Sequence, residues 1–486
     1  MSIFTIRDKK KLKNDLFKTL FKNKNVISVT LVGSFWESKK SNDFSDIDVV
    51  IILKKFNKKT YLDCLKKIRD INLRKYNLGH LETLINSTFG PLKFYTKNNI
   101  VFHTMIYDIK SHIKHVIKSP FTCYDWERSS NYKGKSLKDI FPVGRIQLID
   151  FFNSRRGINS YLNNLNKNFI SYQEYVFAKN FLKLKDKKYK INDRHKLEFS
   201  YHLCKFLIIN FYKFQNQKNK IPSDNEIKSV FKLIFGKQYI FYLNNFYLFQ
   251  KLKKKRISNI KYNTIPFLKK FITKFQSYLT KNYKQNLILI RHGKTKYNDG
   301  SFLGIGRDPG IINKKKVSRK LNYLKKVKSK IVYSSTLKRS LETAKTFENI
   351  NKIIHNNHLV EKNYGLAEGL TFKKLKKEYP LLVASWNKKK DKKFPNGESD
   401  ADVLKRINLF QNKLKKDLRN NSNYNLIIVV SHNALIRCYL GKIFEIPKYL
   451  WVKIVIDHTQ PIYFIIKNNQ IIPNVDRVNL FKKIHI

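Results

Sequence analysis

Apolar and polar residues alternate with two different periods along the chain. Before residue 115, short apolar runs bounded by polar residues predict strands in VISVTLVGS, SDIDVVIIL, GHLETLI and IVFHTMIYDI. The stretch KTYLDCLKKIRDINLRKY, between the second and third of these runs, has apolar residues at helical spacing. The pattern therefore predicts a first domain of mixed α/β structure, which we place at residues 1–125.

The middle of the chain has a different pattern. RIQLIDFFNSRRGINSYLNNL, QEYVFAKNFLKL and KLEFSYHLCKFLIINFYKF have helical spacing and many aromatic residues. We expect a helical region over residues 126–285, which either shapes a binding pocket of the first domain or joins the two ends of the chain.

Alternation typical of α/β structure returns at residue 286. LILIRHG, KIVYSS, LIIVVSHN and PIYFIIK read as strands, with amphipathic helices between them. We place a third domain at residues 286–486, and the fold class predicted for the whole chain is multidomain α/β.

Composition agrees with several packed domains. The chain has 486 residues, too many for one ordinary core, and 42% of them are hydrophobic. The formal net charge is +64, which suggests a polyanion partner. Because the excess is mostly lysine and is spread along the whole chain, we interpret it as a compositional bias, and a nucleic acid partner is the less favoured reading.

Cysteine usage and hydropathy limit the cellular compartments in which we expect the protein. The four cysteines are scattered and form no CxxC pair, so neither a zinc site nor a disulfide framework is predicted. The first residues contain no apolar segment of signal-peptide length, and no apolar run approaches a membrane span. We expect a cytoplasmic protein with no membrane partner.

Two aspartates and a glycine-serine turn form the first group of candidate functional residues. Gly33 and Ser34 follow a predicted strand, and Asp46 and Asp48 lie at positions i and i+2 of the next one. Side chains two residues apart on a strand point to the same face, so the two carboxylates repel each other unless a divalent cation lies between them. A glycine at the turn would let phosphates approach the backbone.

The glycine-serine pair, a spacer of eleven residues and Asp-Ile-Asp in an apolar strand resemble the DNA polymerase beta superfamily of nucleotidyltransferases. The resemblance implies that Gly33 and Ser34 bind nucleotide phosphates and that Asp46 and Asp48 bind Mg²⁺ or Mn²⁺. It also implies a third metal-binding carboxylate on a later strand. We choose Glu82 for this role, with Asp108 as its rival. An NTP and a small-molecule acceptor would be the substrates.

A second group of residues gathers positive charge. Arg291 and His292 end one predicted strand, His432 ends another, and Arg339 follows a third. Ligands bind at this edge of open α/β sheets, and two arginines with two histidines would form a pocket for a phosphoryl group. An unprotonated His292 could attack phosphorus, and Glu361 could protonate the leaving oxygen.

RHGKTKYN, SSTLKRSLETA, EKNYGLAEG, NGES and VSHNALIR, in this order, resemble the histidine phosphatase superfamily and its phosphoglycerate mutase-like, three-layer α/β/α fold. The resemblance implies that His292 is phosphorylated, that Glu361 donates the proton, and that no cofactor is needed. It assigns phosphate contacts to Arg291, Arg339, His432 and Asn298. Asn433, where SHG is commoner than SHN, is expected to narrow the phosphate pocket. We interpret the remaining histidines as structural or surface residues, among them His80, His103, His112, His115 and His202.

These features predict a bifunctional enzyme of small-molecule metabolism. The first domain would transfer a nucleoside monophosphate from an NTP, and the third would hydrolyse a small phosphomonoester. The irregular sequence FLGIGRDPGI after RHG favours hydrolysis over a mutase reaction. Two alternatives remain open: an RNA-directed nucleotidyltransferase with an end-trimming phosphatase, and a chain in which one domain is only a scaffold.

Overall fold

The computed structural model describes most of the chain and divides it into two compact units, Met1–Leu279 and Thr280–Ile484. The residues described are 4–37, 46–90, 99–177, 182–254, 263–327, 330–347, 353–388, 390–420 and 425–484. No helix in these ranges is long and apolar enough to cross a membrane.

A five-stranded sheet forms the centre of the first domain. Its strands are β1 (Val26–Val32), β2 (Ile47–Leu53), β3 (Glu82–Asn86), β4 (Asn99–Asp108) and β5 (Tyr132–Gly134), in the spatial order β3-β4-β2-β1-β5. Strands β2, β3 and β4 are parallel, and β1 is antiparallel to both β2 and β5. The four strands predicted before residue 115 are confirmed, while β5 extends this sheet past residue 125.

Helices cover both faces of this sheet, so its central strands are buried and read as nearly continuous apolar runs. The helices up to residue 166 are α1 (Ile6–Leu20), α2 (Ser34–Glu37), α3 (Lys58–Arg69), α4 (Ile109–Lys118), α5 (Pro120–Trp126), α6 (Leu137–Ile140), α7 (Leu148–Asn153) and α8 (Ile158–Asn166), with a 3₁₀ turn at Leu73–Tyr76.

The middle region contains a β-hairpin where QEYVFAKNFLKL predicts a helix. Strands β6 (Phe169–Phe177) and β7 (Leu182–Lys190) pair in antiparallel fashion. The helical expectation for this stretch is wrong because β6 pairs with β7 on one side and with Phe89 on the other. These pairings, which lie outside any local sequence pattern, decide the structure here.

The rest of the middle region is helical, as predicted. Its helices are α9 (Asp193–Asn216), α10 (Asp224–Phe235), α11 (Tyr239–Lys254) and α12 (Ile265–Asn282), with a 3₁₀ turn at Gly236–Gln238. Phenylalanines from α7, α9 and α12 meet in edge-on and tilted contacts and form its aromatic core. The aromatic residues that mark this region in the sequence are therefore largely core residues.

A six-stranded sheet forms the centre of the second unit. Its strands are β8 (Leu287–Arg291), β9 (Lys330–Ser334), β10 (Ile353–His355), β11 (Leu426–Ser431), β12 (Pro461–Lys467) and β13 (Gln470–Pro473), in the order β10-β9-β11-β8-β12-β13. Strands β8 to β11 are parallel, so their carboxyl ends meet at one edge. All four strands predicted in this region are confirmed.

The helices of the second unit lie between these strands. They are α13 (Lys314–Lys320), α14 (Asn322–Lys325), α15 (Lys338–Ala344), α16 (Phe372–Glu378), α17 (Pro380–Asn387), α18 (Asp400–Asn420), α19 (Asn433–Ile443) and α20 (Arg477–Leu480), with 3₁₀ turns at Asn357–Leu359, Gly365–Ala367 and Lys448–Lys453. The chain thus has the multidomain α/β fold that its sequence predicts.

Candidate active sites

The two aspartates of the first unit lie at the start of β2. Asp46 immediately precedes the strand and is buried, with 3% of its surface exposed. Asp48 is the second residue of β2 and is paired in register with Val32 of β1 and His103 of β4. Because extended residues two apart point to one face, both carboxylates lie on the same side of the sheet.

The glycine-serine turn is in direct contact with this pair. Gly33 has a φ of +85°, and a Cβ built on it would lie only 2.3 Å from Oδ2 of Asp48. Both observations require glycine at this position. Ser34, the next residue, begins α2. The structure therefore joins the turn and the aspartates that the sequence places eleven residues apart.

His103 binds the other oxygen of Asp48. Its Nδ1 lies 2.8 Å from Oδ1 of Asp48, and its Nε2 lies 2.9 Å from the carbonyl oxygen of Thr88. The ring therefore lies between a carboxylate oxygen and a carbonyl oxygen, both within hydrogen-bond distance. Sequence reasoning assigned His103 only a structural or surface role, because a lone histidine within a strand carries no motif.

Neither carboxylate proposed as the third metal ligand reaches the pair. Glu82 is exposed and lies opposite Asn99, four residues along β4 from His103, which is about 13 Å on a strand. Asp108 lies at the other end of β4 and accepts the N–H of Ser111 at 2.7 Å, as the N-cap of α4. Beside Asp48 the neighbouring strand carries His103, and neither Glu82 nor Asp108 lies next to the two aspartates. A role for either of them as the third metal ligand stays a prediction.

The two aspartates still fit a divalent cation. Mg²⁺ is commonly held by one or two carboxylates, with phosphate oxygens of the substrate and water completing its octahedron. Oδ2 of Asp48 faces the turn at Gly33, where phosphates would approach. Over the ranges that the structure describes, no cluster of three or more His, Cys, Asp or Glu side chains could hold a metal ion.

In the second unit, His292 follows the carboxyl end of β8 and is 3% exposed. Its Nδ1–H donates to the carbonyl oxygen of Gly293 at 2.7 Å, which leaves the lone pair on Nε2. Burial lowers the pKa of His292 well below its usual range, and the charges of Arg339 and Arg291 lower it further. The ring is therefore held neutral with Nε2 as its nucleophilic atom.

His432 follows β11, and its ring centroid lies 5.0 Å from that of His292. The hydroxyl oxygens of Ser335 and Ser340 lie 2.8 and 3.1 Å from Nε2 of His432. Burial lowers the pKa of His432 well below its usual range. A serine hydroxyl that donates to Nε2 leaves the ring proton on Nδ1, which has no hydrogen-bond partner in the described part of the chain.

Arg339 is completely buried and contacts the loop after RHG. Its Nη2 donates to the carbonyl oxygen of Gly304 at 2.6 Å, and its Nη1 donates to the carbonyl oxygen of Arg307 and to Asp308. The Nε–H has no partner among the described residues. Arg339 thus anchors the loop with three hydrogen bonds and keeps donors for a phosphate.

A carboxylate anchors the same loop from the other side. Glu368 accepts the backbone N–H groups of Ile305, Gly306 and Arg307 at 2.7, 2.9 and 3.2 Å. A Cβ on Gly304 would overlap Glu368, so this contact also requires glycine. The irregular loop FLGIGRDPGI is therefore an ordered segment.

Arg291 ends β8 and is half-buried. One guanidinium nitrogen donates to the carbonyl oxygen of Ile456 at 2.9 Å, and Nε has no partner in the described ranges. Burial lowers the pKa of Arg291 to about 10, so the group remains a cation at neutral pH. It places a second positive charge beside His292.

Glu361 is buried and held at the amino end of α19. Its Oε1 accepts the N–H groups of Lys362 and Ala434 at 2.9 and 3.1 Å. Its charge raises the pKa of both Arg291 and Arg339 against the effect of burial, so it faces the same cations. The structure therefore brings Glu361 to the site of His292.

The two asparagines assigned to phosphate have different surroundings. Asn298 is exposed, and its Oδ1 accepts the N–H of Thr295 at 2.8 Å, which shapes the turn after RHG. Asn433 begins α19 directly after His432, and its Oδ1 is buried with no partner in the described part of the chain. The role of each toward phosphate stays a prediction.

Two further residues belong to this site and were not identified from the sequence. Nδ1–H of His458 donates to the carbonyl oxygen of His292 at 2.8 Å, and burial lowers its pKa to about 4. Arg437, on α19, lowers the pKa of Arg291 and donates through Nε to the carbonyl oxygen of Ile454. Arg437 ends VSHNALIR and could have been found one helical turn after His432.

Comparison with known proteins identifies two domains. Residues 287–479 match the histidine phosphatase superfamily (branch 1), and residues 11–107 match the nucleotidyltransferase domain.

Individual relatives resemble only part of the chain. Fructose-2,6-bisphosphatase of Saccharomyces cerevisiae is 28% identical over 212 residues, 40% of this chain and 43% of that protein. A 2,3-bisphosphoglycerate-dependent phosphoglycerate mutase of Buchnera aphidicola is 28% identical, over 33% of this chain and 85% of that protein. The chain spans less than half the length of the fructose-2,6-bisphosphatase relatives that it matches. The alpha-ribazole phosphatase structure from Shigella flexneri is 20% identical, covers 39% of this chain and 94% of that one, and superposes with a TM-score of 0.35, too low to support an argument.

Proposed function

Because this chain contains a nucleotidyltransferase domain followed by a histidine phosphatase superfamily domain, we propose that it is a bifunctional enzyme that transfers a nucleoside monophosphate and hydrolyses a small phosphomonoester. The hydrolytic half rests on one observation above all. His292 is neutral, with Nε2 unprotonated, between two arginines.

The phosphatase reaction proceeds in two displacements. Nε2 of His292 attacks phosphorus, the ester P–O bond breaks, and Glu361 gives a proton to the leaving oxygen. Water then attacks the phosphohistidine, gives its proton to Glu361 and releases orthophosphate. Arg291, Arg339 and Nδ1–H of His432 offset the charge on the phosphoryl oxygens.

We infer that the phosphatase substrate carries a second anionic group. Arg437 lies on α19, the helix that begins directly after His432, and its charge lowers the pKa of Arg291. Both relatives described above are named for bisphosphate compounds. We prefer hydrolysis to a mutase reaction because the loop after RHG, FLGIGRDPGI, does not have the sequence expected of a mutase in this segment.

For the first unit, we propose attack of an acceptor on the α-phosphorus of an NTP, with pyrophosphate as the leaving group. The contact between Gly33 and Oδ2 of Asp48 supports this proposal, because it places a phosphate-binding turn beside a carboxylate. Asp46 and Asp48 would hold the divalent cation. When bound, the cation supplies charge stabilisation for the attacking and leaving oxygens. His103 holds one oxygen of Asp48, and the other oxygen faces Gly33.

The acceptor must be compatible with a phosphatase on the same chain. An acceptor that reacts through a phosphomonoester would be consumed by the neighbouring activity. We therefore propose that the two sites act on different molecules or in sequence, or that the acceptor offers a hydroxyl or a phosphonate, which the phosphatase does not cleave.

The decisive experiment follows both products at once. The purified chain is incubated with Mg²⁺, each of the four NTPs and a pool of phosphorylated and phosphonylated metabolites, and pyrophosphate and orthophosphate are measured separately. Parallel samples carry Asp46→Asn with Asp48→Asn, or His292→Ala. We expect the aspartate variant to lose only pyrophosphate and the histidine variant to lose only orthophosphate. Absence of one product from the wild-type chain, with folding intact, would contradict the proposal for that domain.

A further inference from the structure

The hairpin of β6 and β7 presents a basic face that neither proposed reaction uses. We call this hairpin, Phe169–Phe177 and Leu182–Lys190, the basic ribbon. In its register, Lys183, Lys185, Lys187 and Tyr189 lie opposite Val176, Glu174, Tyr172 and Ile170. Since paired residues share a face, the lysines and both tyrosines lie on one side of the ribbon, and all four residues on the β7 side are exposed.

The opposite face attaches the ribbon to the first domain. Tyr175 contacts the rings of Phe56, Tyr61 and Phe89, and its hydroxyl donates to the carbonyl oxygen of Ile106. We call the face with Lys183, Lys185 and Lys187 the outer face because it points away from the contacts of Tyr175. Its end at Ile170 is buried, and the opposite face also carries the exposed Lys188 and Lys190.

The ribbon lies close to the proposed nucleotidyl transfer site. Gln173 and Phe89 exchange two backbone hydrogen bonds of 2.7 and 2.9 Å. The residue before Phe89, Thr88, accepts from His103, which in turn binds Asp48. Three consecutive contacts therefore connect the ribbon to the catalytic aspartates.

The lysines of the outer face are only partly neutralised. Glu174 pairs with Lys187 at 3.3 Å. Within the described ranges, no carboxylate pairs with Lys183 or Lys185. The outer face therefore has a net positive charge beside two aromatic side chains.

We propose that the outer face of the basic ribbon binds single-stranded nucleic acid. A row of cations attracts the phosphate backbone, and aromatic rings stack with bases of any sequence. Lys183, Lys185 and Lys187 recur every second residue along β7, and Tyr172 and Tyr189 are diagonal neighbours at one end of this row. This combination fits a single strand better than a lipid surface, which would need large exposed apolar side chains on the same face.

Binding to the ribbon does not require the proposed transfer reaction. If that reaction takes place, the bound nucleic acid would present its end as an acceptor. The proposed binding also revises the interpretation of the charge. The lysine excess is general along the chain, whereas the ribbon arranges lysines and tyrosines in a defined row near the proposed nucleotidyl transfer site.

The test compares the ribbon with an equal reduction of charge elsewhere. Binding of fluorescein-labelled 12-nucleotide RNA is measured by fluorescence anisotropy at several salt concentrations. The ribbon variant is Lys183→Ala, Lys185→Ala and Lys187→Ala, and the control replaces Lys10, Lys11 and Lys18, exposed residues of α1, with alanine. Each triple variant lowers the net charge from +64 by three, to +61.

We expect the ribbon variant to bind at least about tenfold more weakly and the control to change little. The slope of log affinity against log salt should fall by about 2 in the ribbon variant, because each phosphate of a single strand that a cation neutralises contributes about 0.7 to that slope. Tyr189→Ala should weaken binding about fivefold or more with little change in the slope. Unchanged phosphatase turnover and thermal melting would show that both triple variants are folded.

Three results would overturn the proposal. Equal weakening in both triple variants would mean that bulk charge attracts RNA. Equally strong, lysine-dependent binding to vesicles of phosphatidylserine and phosphatidylcholine would point to a membrane surface. Unaltered RNA binding together with self-association of the ribbon variant would mean that the lysines protect an exposed strand edge, a common role for lysine there.

Discussion

His292 illustrates how much chemistry a single buried side chain can decide. Its pKa lies well below the usual value because burial and two arginines disfavour the imidazolium form. A nucleophile of this kind remains reactive as the pH falls, since it protonates only below that lowered pKa.

We therefore expect that His292 shows no titration midpoint near 6.5, the usual value for histidine. The measurement is NMR of the chain labelled with ¹³C at histidine Cε1, with the resonance assigned by its disappearance in His292→Gln. A histidine-containing model peptide in the same sample provides the internal control, because its imidazole titrates near 6.5. A midpoint of about 6.5 for His292 would contradict the electrostatic account.

Gly33 gives a second prediction at this scale. In Gly33→Ala the new Cβ would displace the Asp48 carboxylate, from which it would lie 2.3 Å. We expect pyrophosphate release to fall about a hundredfold, the effect of misplacing a catalytic group by about 1 Å. Orthophosphate release should not change.

The matched control is Gly236→Ala. Gly236 also has a positive φ, of +56°, but a Cβ there would meet nothing within 4 Å. The substitution Gly236→Ala therefore imposes backbone strain in the same unit without contacting the aspartates. Equal loss of transfer in both variants would mean that strain, rather than the contact with Asp48, is responsible.

The residues that sequence analysis found are those that belong to compact motifs. Asp46, Asp48 and His292 stand in short patterns whose spacing already implies a shared face or a strand end. His103 and His458 act through contacts with residues distant in sequence, so no local pattern marks them. Glu82 was chosen because it is a carboxylate on a later strand. The strand register, which the sequence does not provide, separates it from the aspartates.

Helix α4 shows a property that belongs to a whole element. It carries two histidines, of which His112 is buried and His115 is half-buried. Burial lowers the pKa of His112 to about 4 and that of His115 well below its usual range. Below pH 6.5 the unfolded chain takes up protons that the folded chain excludes, so the free energy of unfolding must fall as the pH decreases from 6.5 toward 4.

We expect His112→Gln to remove part of this acid sensitivity. For a pKa of 6.5 in the unfolded chain and about 4 in the folded one, His112 accounts for about 2–3 kcal/mol between pH 7 and pH 4.5. Urea unfolding would be followed by Trp36 and Trp126 after Trp386 and Trp451 are replaced by phenylalanine. An unchanged difference between the two pH values would contradict this assignment.

Strands were predicted more reliably than the hairpin for a physical reason. The central strands β1, β2, β4, β8, β9 and β11 are buried on both faces and bounded by polar residues, so their apolar runs are distinct. In β6 and β7 only one face packs on the domain, and the aromatic residues mix with lysines. Over a short stretch such a pattern also fits a helical period, and tertiary packing decides between the two.

At the scale of the molecule, the net charge of +64 is the dominant property. Mutual repulsion of this size favours expanded states over the folded one, and salt weakens it by screening. We expect the melting temperature to rise by several degrees between about 20 and about 300 mM NaCl. Sucrose at matched osmolality is the control. A melting temperature that is insensitive to NaCl, or that responds equally to sucrose, would show that repulsion is not limiting.

The domain boundaries that we predict rest on composition and on the order of the motifs. The first sheet extends beyond the boundary expected at residue 125. Strand β5, only three residues long, joins β1 through register pairs that no sequence window could identify. Long periodic elements are therefore predictable from local pattern, and short edge strands depend on the assembled sheet.

The loop after RHG has a consequence for how this enzyme could diversify. Arg339 and Glu368 fasten it through carbonyl oxygens and N–H groups of its backbone. Among its side chains, Asp308 also takes part, because its carboxylate pairs with Arg339. Substitutions at other positions of the loop leave these bonds to Arg339 and Glu368 in place. A gene copy could acquire a new substrate preference by exchanging loop residues, while selection on the reaction itself would fall on Arg339, Glu368 and the glycine at 304.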